Sequence, residues 1–164
     1  MAARNRLGRF DEAGLVSVAQ RFADVVAIGG VIHLRGDLGA GKTTFARALL
    51  RALGVEARIK SPTYSLIESY ARGDLAIHHL DLYRIADPGE IEWLGLADLA
   101  TGEHLILIEW PERAGDALPP PDLVVELAHA GDVRDVAVAA LSERGHTWIR
   151  AIAPHIPALA SLNA

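Results

Sequence analysis

The chain of 164 residues has 51% apolar and 23% charged residues, a composition typical of one globular domain. With a formal net charge of −5, the chain as a whole lacks the excess positive charge that is typical of nucleic-acid binding. Cysteine is absent, which excludes disulfides, thiolate metal sites and cysteine nucleophiles. No apolar h-region follows the N-terminal arginines, and no apolar run approaches the ~18 residues that span a bilayer. We therefore expect a cytoplasmic protein without a membrane partner.

The first third of the chain predicts a helix, a strand and a second helix. Residues 11–28 carry apolar side chains at helical spacing, with Asp11 as the N-cap. Residues 31–35 form a short apolar run rich in β-branched residues, which is typical of a buried strand. A glycine-rich loop follows this strand. A helix is then expected over residues 44–53, ended by Gly54.

The middle of the chain predicts a loop, a hairpin and a short helical region. Residues 60–64 are polar and contain a proline, which indicates a loop. Residues 65–70 and 75–83 are expected to form two strands around the turn 71–74. A helical region is expected over residues 87–99, with a proline in its first turn.

The last third predicts one buried strand and a closing hairpin. Residues 104–109 form a second clear apolar strand, which ends in a carboxylate. Residues 122–129 and 133–141 are expected to form a hairpin. Together the elements predict an α/β fold with a P-loop NTPase-like mixed sheet, flanking helices and antiparallel hairpins. We expect a single domain over residues 1–150 and a weakly structured tail over 151–164, either a short helix or a disordered end.

The glycine-rich loop is the strongest functional signal. It reads Gly36-Asp37-Leu38-Gly39-Ala40-Gly41-Lys42-Thr43 and lies between a predicted strand and a predicted helix, which is the context that a P-loop requires. The glycines let backbone N–H groups approach phosphates, and the helix directs its positive dipole end towards them. Lys42 can reach the β- and γ-phosphates, and the Thr43 hydroxyl can ligate Mg²⁺.

Two carboxylates are candidates for the catalytic part of the site. Glu109 ends the buried strand 104–109, and Asp81 follows the more amphipathic strand that begins at residue 75. Phosphoryl transfer needs a carboxylate near the metal and a group that orients the nucleophile. Which of the two orients the attacking water stays open. The neighbouring His78 and His79 point to opposite faces of a strand, so they cannot chelate one ion together.

ATP is the expected nucleotide. Guanine-specific P-loop proteins carry an Asn/Thr-Lys-x-Asp run, and this chain has none.

Four blocks of the sequence resemble a known family. They are Gly36 to Thr44, then Lys60-Ser61-Pro62-Thr63-Tyr64, then His79-Leu80-Asp81-Leu82-Tyr83-Arg84, then Ile108-Glu109-Trp110-Pro111-Glu112. In this order they look like the signature blocks of the TsaE family (formerly YjeE), P-loop ATPases of bacterial tRNA threonylcarbamoyladenosine biosynthesis. The resemblance covers about residues 10–140.

The resemblance implies an ATPase that works with TsaD- and TsaB-type partners, with tRNA reached only indirectly through the complex. It implies that Thr43 and Glu109 hold Mg²⁺, that Asp81 is needed for hydrolysis, and that residues 61–64 form a switch-like loop. The resemblance also implies that Trp110 lies beside the nucleotide. It implies that the N-terminal segment lies near the base, through Phe10, Asp11 or Glu12. The expected nucleotide-binding residues are Asp37, Leu38, Gly39, Ala40, Gly41, Lys42, Thr43, Thr44, Trp110 and Asp11.

Two other functions compete with this interpretation. A P-loop small-molecule kinase needs an arginine-bearing lid, and no arginine-rich segment stands out between Ser61 and Trp110. A non-hydrolysing adaptor, in which bound ATP only fixes a binding surface, needs nucleotide binding without catalysis at Asp81 and Glu109.

Overall fold

A computed structural model of the chain describes residues 2–100 and 102–163. Its strands are β1 (Arg4–Phe10), β2 (Gly30–Arg35), β3 (Ile67–Arg72), β4 (Leu75–Asp81), β5 (His104–Glu109), β6 (Leu123–Ala130) and β7 (Val133–Ala140). Its α-helices are α1 (Glu12–Val26), α2 (Lys42–Ala52), α3 (Gly89–Glu92), α4 (Leu96–Leu99) and α5 (Glu143–Ile152). Short 3₁₀ helices cover Pro111–Arg113, Gly115–Ala117, Ala153–His155 and Pro157–Asn163.

One seven-stranded mixed sheet runs through the molecule in the order β1-β7-β6-β2-β5-β4-β3. β2 pairs in parallel with β5 and β6, and β4 pairs in parallel with β5. Antiparallel pairs flank this parallel centre: β6 with β7, β7 with β1, and β3 with β4. The expected α/β mixed sheet with antiparallel hairpins is therefore confirmed.

The sheet is covered on both faces, which explains why its central strands are continuously apolar. On β2, Ile32 and Leu34 belong to a large core cluster shared with α1, α2 and α5, whereas Val31 belongs to a second cluster. The second cluster also contains Ile91 of α3 and Leu96 of α4. Alternate residues of one strand thus serve opposite cores.

The helices α1 and α2, which precede and follow β2, form where the sequence predicts them. The Asp11 carboxylate caps α1 by accepting a hydrogen bond of 2.8 Å from the Gly14 N–H. The region 87–99 differs from its prediction, because it forms two short helices instead of one. Gly95 lies between them as the N-cap of α4, and its φ of 64° is outside the right-handed helical region.

Two elements are absent from the sequence prediction. β1 adds an edge strand to β7, and α5 follows the N-cap Ser142, whose hydroxyl accepts a hydrogen bond from the Gly145 N–H. The domain boundary expected at residue 150 therefore falls inside a helix. The segment beyond it forms short helices instead of a disordered end, and its Ile156 and Leu159 are buried in the large core cluster.

None of the helices in the described ranges combines the length and the apolar character that crossing a bilayer requires.

Candidate functional site

The carboxyl ends of β2, β5 and β4 lie side by side and define where a site can form. Leu34 of β2 and Asp81 of β4 are both register partners of Glu109 on β5. The glycine loop leaves β2 at this edge and enters α2 at Lys42. The fold therefore places the glycine loop, the N-terminus of α2 and two carboxylates at one edge of the sheet.

The glycine loop requires glycine at positions where its backbone turns. Gly36 has a φ of 154°, and a Cβ there would lie 2.4 Å from the Leu127 carbonyl oxygen. Gly41 has a φ of 105° and is the last residue before α2. Both conformations are unfavourable for residues with a side chain, so the loop has the backbone freedom that a phosphate cradle needs.

A cavity of about 290 Å³ opens between the loop and the two carboxylates. Its lining brings together nine of the predicted site residues: Leu38, Gly39, Gly41, Lys42, Thr43, Thr44, Asp81, Glu109 and Trp110. Thr63, Tyr83 and Arg84 complete it. Ala40 lies in the core behind the loop.

Lys42 is turned inwards. Its Nζ donates to the carbonyl oxygens of Gly36 and Asp37, the latter at 2.9 Å, and lies 4.1 Å from the centre of the Trp110 ring. The side chain is only 4% exposed, and this burial lowers the pKa of Lys42, although the nearby carboxylate of Glu109 opposes the shift. The ammonium is therefore held at the loop, beside an aromatic face.

Glu109 is the most enclosed of the two carboxylates, at 2% exposure. Its Oε1 accepts a hydrogen bond of 2.7 Å from the Thr43 hydroxyl. Its Oε2 lies 2.6 Å from Nε2 of His79, which is fully buried. Both oxygens thus have a partner, and the carboxylate is fixed between α2 and β4.

Asp81 connects the sheet to the loop 60–64. Its Oδ1 accepts from the Tyr83 N–H at 3.0 Å, and its Oδ2 accepts from the Thr63 hydroxyl at 3.3 Å. The Thr63 oxygen also lies 2.7 Å from the Ser61 hydroxyl oxygen. This geometry gives the loop a direct contact to a carboxylate of the cavity.

The rim of the cavity is aromatic and basic. Trp110 has a φ of 58°, an uncommon conformation for a bulky residue, and its ring centre lies 5.0 Å from that of Tyr83. The Arg84 guanidinium lies 4.4 Å from the centre of the Tyr64 ring, and Tyr64 is 84% exposed. Trp110 and Tyr83 thus form an aromatic contact at the cavity, and Arg84 contacts an exposed tyrosine.

A second cavity of about 160 Å³ lies on the other side of the loop. It shares Gly39, Gly41 and Thr44 with the first cavity, and its other lining residues are Glu12, Leu15, Asp132 and Arg134. Glu12 lines this cavity, whereas the carboxylate of its neighbour Asp11 caps α1.

The contact between His79 and Glu109 is the part of the site that the sequence does not indicate. The sequence shows His79 as the neighbour of His78 and as a member of the block that runs to Arg84. Period-two alternation predicts that His79 lies on the same face of its strand as Asp81, but it does not identify Glu109 as the partner.

The donor atoms of the cavity suit a magnesium–nucleotide complex. They are carboxylate and hydroxyl oxygens, the ligands that Mg²⁺ prefers, from Thr43, Asp81 and Glu109. Within residues 2–100 and 102–163, no group of three or more His, Cys, Asp or Glu side chains could hold a metal by itself. The residues thus fit an ion that arrives with a phosphate ligand, and Thr43 and Glu109 would supply the protein's contacts to it.

Fold and site together define a single-domain α/β protein in which a glycine loop, a helix N-terminus and two strand-end carboxylates surround one cavity. The chain belongs to the TsaE family, because the family model "Threonylcarbamoyl adenosine biosynthesis protein TsaE" matches residues 10–136. The resemblance seen in the four sequence blocks is confirmed, and the family is one of tRNA threonylcarbamoyladenosine biosynthesis.

Relatives with this name match most of the chain. The TsaE protein of Haemophilus influenzae is 37% identical over 148 residues, which cover 86% of this chain and 92% of the relative. That of Bacillus subtilis is 36% identical over 129 residues, covering 78% and 80%. The crystal structure of Bacillus subtilis YdiB has a TM-score of 0.79 at 29% identity and covers 94% of this chain and 97% of that one.

Proposed function

We propose that the chain is a Mg²⁺-dependent ATPase subunit that supports the threonylcarbamoyl modification of tRNA adenosine next to the anticodon. The observation that carries the proposal is the hydrogen bond between Thr43, in the first turn of α2, and the buried Glu109 at the end of β5. It joins the helix after a glycine loop to a strand-end carboxylate, which is how P-loop NTPases hold a metal beside the phosphates.

Each residue then has a defined task. The backbone N–H groups from Gly39 to Lys42 face the phosphates, and the Lys42 ammonium moves from the loop carbonyls and Trp110 to phosphate oxygens. Thr43 and Glu109 hold Mg²⁺, which when bound neutralises charge on the phosphate oxygens. Asp81 accepts a hydrogen bond from Thr63 and orients the attacking water from the same edge of the sheet.

The base belongs in the second cavity, on the other side of the shared loop. Glu12 there offers acceptor oxygens to the exocyclic amine of adenine, and Arg134 offers donors to the ring nitrogens or the ribose. The chain has no Asn/Thr-Lys-x-Asp run for guanine, which also favours ATP.

Partners complete the proposed function. The overall charge of −5 does not favour direct binding of tRNA, so we propose that TsaD- and TsaB-type proteins hold the tRNA. We also propose the cytoplasm as the compartment, because tRNA is modified there.

The experiment that tests the proposal measures ATP hydrolysis by the purified chain, alone and with the TsaB and TsaD proteins and tRNA. The expected result is hydrolysis that the partners stimulate and that Lys42→Ala abolishes. Phosphorylation of a small acceptor without any partner effect would instead support a kinase. ATP binding without hydrolysis in every combination would support the non-hydrolysing adaptor.

Asp81→Asn separates catalysis from binding, because asparagine keeps the size and the contact to the Tyr83 N–H but loses the charge. We expect an affinity for ATP close to that of the wild type and a turnover lower by about 10²–10⁴-fold, the usual contribution of a positioned acid–base group. Single-turnover hydrolysis beside nucleotide titration measures both. Full modification activity with Asp81→Asn would contradict a catalytic role for this carboxylate.

A further inference from the structure

We propose that His79 is a positioning residue for the metal site: it holds Glu109 in the one orientation that presents its other oxygen to Thr43 and the metal. This inference rests on the proposed function, since it concerns the Mg²⁺ that Glu109 is proposed to bind. His79 itself touches neither the metal nor the nucleotide in this proposal.

The strand register brings the two side chains together. Asp81 on β4 is the register partner of Glu109 on β5, and His79 lies two residues before Asp81 on the same face of β4. The imidazole therefore reaches diagonally along the sheet, and its Nε2 lies 2.6 Å from the Glu109 Oε2. The relative exposure is 0% for the histidine and 2% for the glutamate, so water does not compete for this contact.

The surroundings of the ring define the direction of the hydrogen bond. Nδ1 of His79 is buried and has no hydrogen-bond partner among the described residues. A proton on Nδ1 would leave a buried donor unpaired and would set the Nε2 lone pair against a carboxylate oxygen. The proton therefore lies on Nε2, and the imidazole donates to Glu109.

This hydrogen bond restricts rotation of the Glu109 carboxylate about its terminal torsion. The terminal torsion of a glutamate side chain is broad, so an unheld carboxylate samples many orientations. With Oε2 held by His79, Oε1 stays 2.7 Å from the Thr43 hydroxyl oxygen. Outer partners that orient metal ligands in this way change metal affinity by about 10–100-fold when they are removed.

A pair of substitutions distinguishes this role from simple packing. His79→Gln keeps an N–H donor near the position of Nε2, whereas His79→Leu fills the space without a donor. The matched control is His33→Leu, which removes another buried histidine, on strand β2. On β2, Ile32 and Leu34 face α1 and α2. His33 lies between them and therefore faces the other side of the sheet.

The test measures Mn²⁺ binding to the ADP complex of the whole chain by electron paramagnetic resonance. ADP affinity without metal and the free energy of unfolding are measured beside it. We expect His79→Leu to raise the Kd for Mn²⁺ by about 10–100-fold, with metal-free ADP affinity unchanged. His79→Gln should restore most of the Mn²⁺ affinity, and His33→Leu should keep that of the wild type.

Each result has a defined meaning. Wild-type Mn²⁺ affinity in His79→Leu, or an equal loss in His79→Gln, overturns the positioning role. If His79→Leu does not fold, His79→Asn replaces it, because its shorter amide cannot reach Glu109 and should show the same loss. Absence of Mn²⁺ binding in the wild-type ADP complex, or its persistence in Glu109→Gln, means that the proposed metal site itself is wrong.

Discussion

At the scale of single residues, His33 makes the stability of the chain depend on pH. Its burial on β2, together with the nearby Arg35, lowers its pKa from 6.5 to about 4. Between about pH 6.5 and pH 4, His33 is protonated in the unfolded chain but not in the folded chain. Stability is therefore complete above this window and falls within it, by on the order of 3 kcal/mol.

The variant His33→Leu tests this prediction, because leucine fills a buried site and does not titrate. We expect the free energy of unfolding, measured with urea between pH 7.5 and 4.5, to fall less steeply in His33→Leu than in the wild type. Carboxylates also make the free energy of unfolding depend on pH, and they do so equally in both proteins. The difference between the two pH curves therefore measures the contribution of His33. His155→Gln changes an exposed histidine and should leave the wild-type slope. Equal slopes in wild type and His33→Leu would rule out His33 as the cause.

The sequence predicts site residues well where they are neighbours in the chain or end a strand. The glycine loop, Lys42 and Thr43 form one contiguous motif, and Glu109 ends a clearly apolar run. The contact between His79 and Glu109 joins residues 30 positions apart and depends on the register of β4 against β5. Alternation gives the face of a strand residue but not its partner on the next strand, so this contact could not be predicted.

At the scale of secondary-structure elements, burial decides what the sequence reveals. β2 and β5 are covered on both faces and therefore appear as apolar runs. β1 is an edge strand in which Leu7 alone is buried, and its pattern is too polar to be recognised. α5 did carry a signal, since Gly145, Trp148, Ile149 and Ile152 are its buried residues and follow helical spacing behind Ser142.

The C-terminal segment should be required for stability, because it is packed into the main core. Leu159 is 1% exposed and belongs to the large cluster together with Ile152 and Ile156. We expect Leu159→Ala to lower the free energy of unfolding by about 2–5 kcal/mol, the usual cost of a cavity at a buried leucine. Urea unfolding at pH 7.5 measures it.

The control for Leu159→Ala is Ala160→Ser, at the exposed neighbouring position. It should change the free energy of unfolding by less than about 0.5 kcal/mol, as surface substitutions usually do. A Leu159→Ala protein as stable as this control would mean that residues after α5 do not contribute to the core in solution.

At the scale of the whole molecule, the arrangement of charge bears on how tRNA is reached. The net charge is −5, and the arginines of the edge strand β1 face acidic partners. Arg4 pairs with Glu126, and Arg6 pairs with Asp135 at 2.9 Å. Positive charge on this edge is thus balanced locally, and it does not form the unpaired basic surface that nucleic-acid binding uses.

We therefore expect the chain alone to bind tRNA no better than an acidic control protein of similar size. Binding that requires phosphate contacts falls steeply with salt, with a slope close to the number of phosphates neutralised. Fluorescence anisotropy of labelled tRNA at 50 and 200 mM salt should show no such slope for the chain by itself, and should show one once TsaD- and TsaB-type partners are added. Tight binding by the chain alone, weakened strongly by salt, would mean that it contacts tRNA directly. The partners would then be needed for chemistry and not for holding the substrate, and the division of labour proposed for the complex would be reversed.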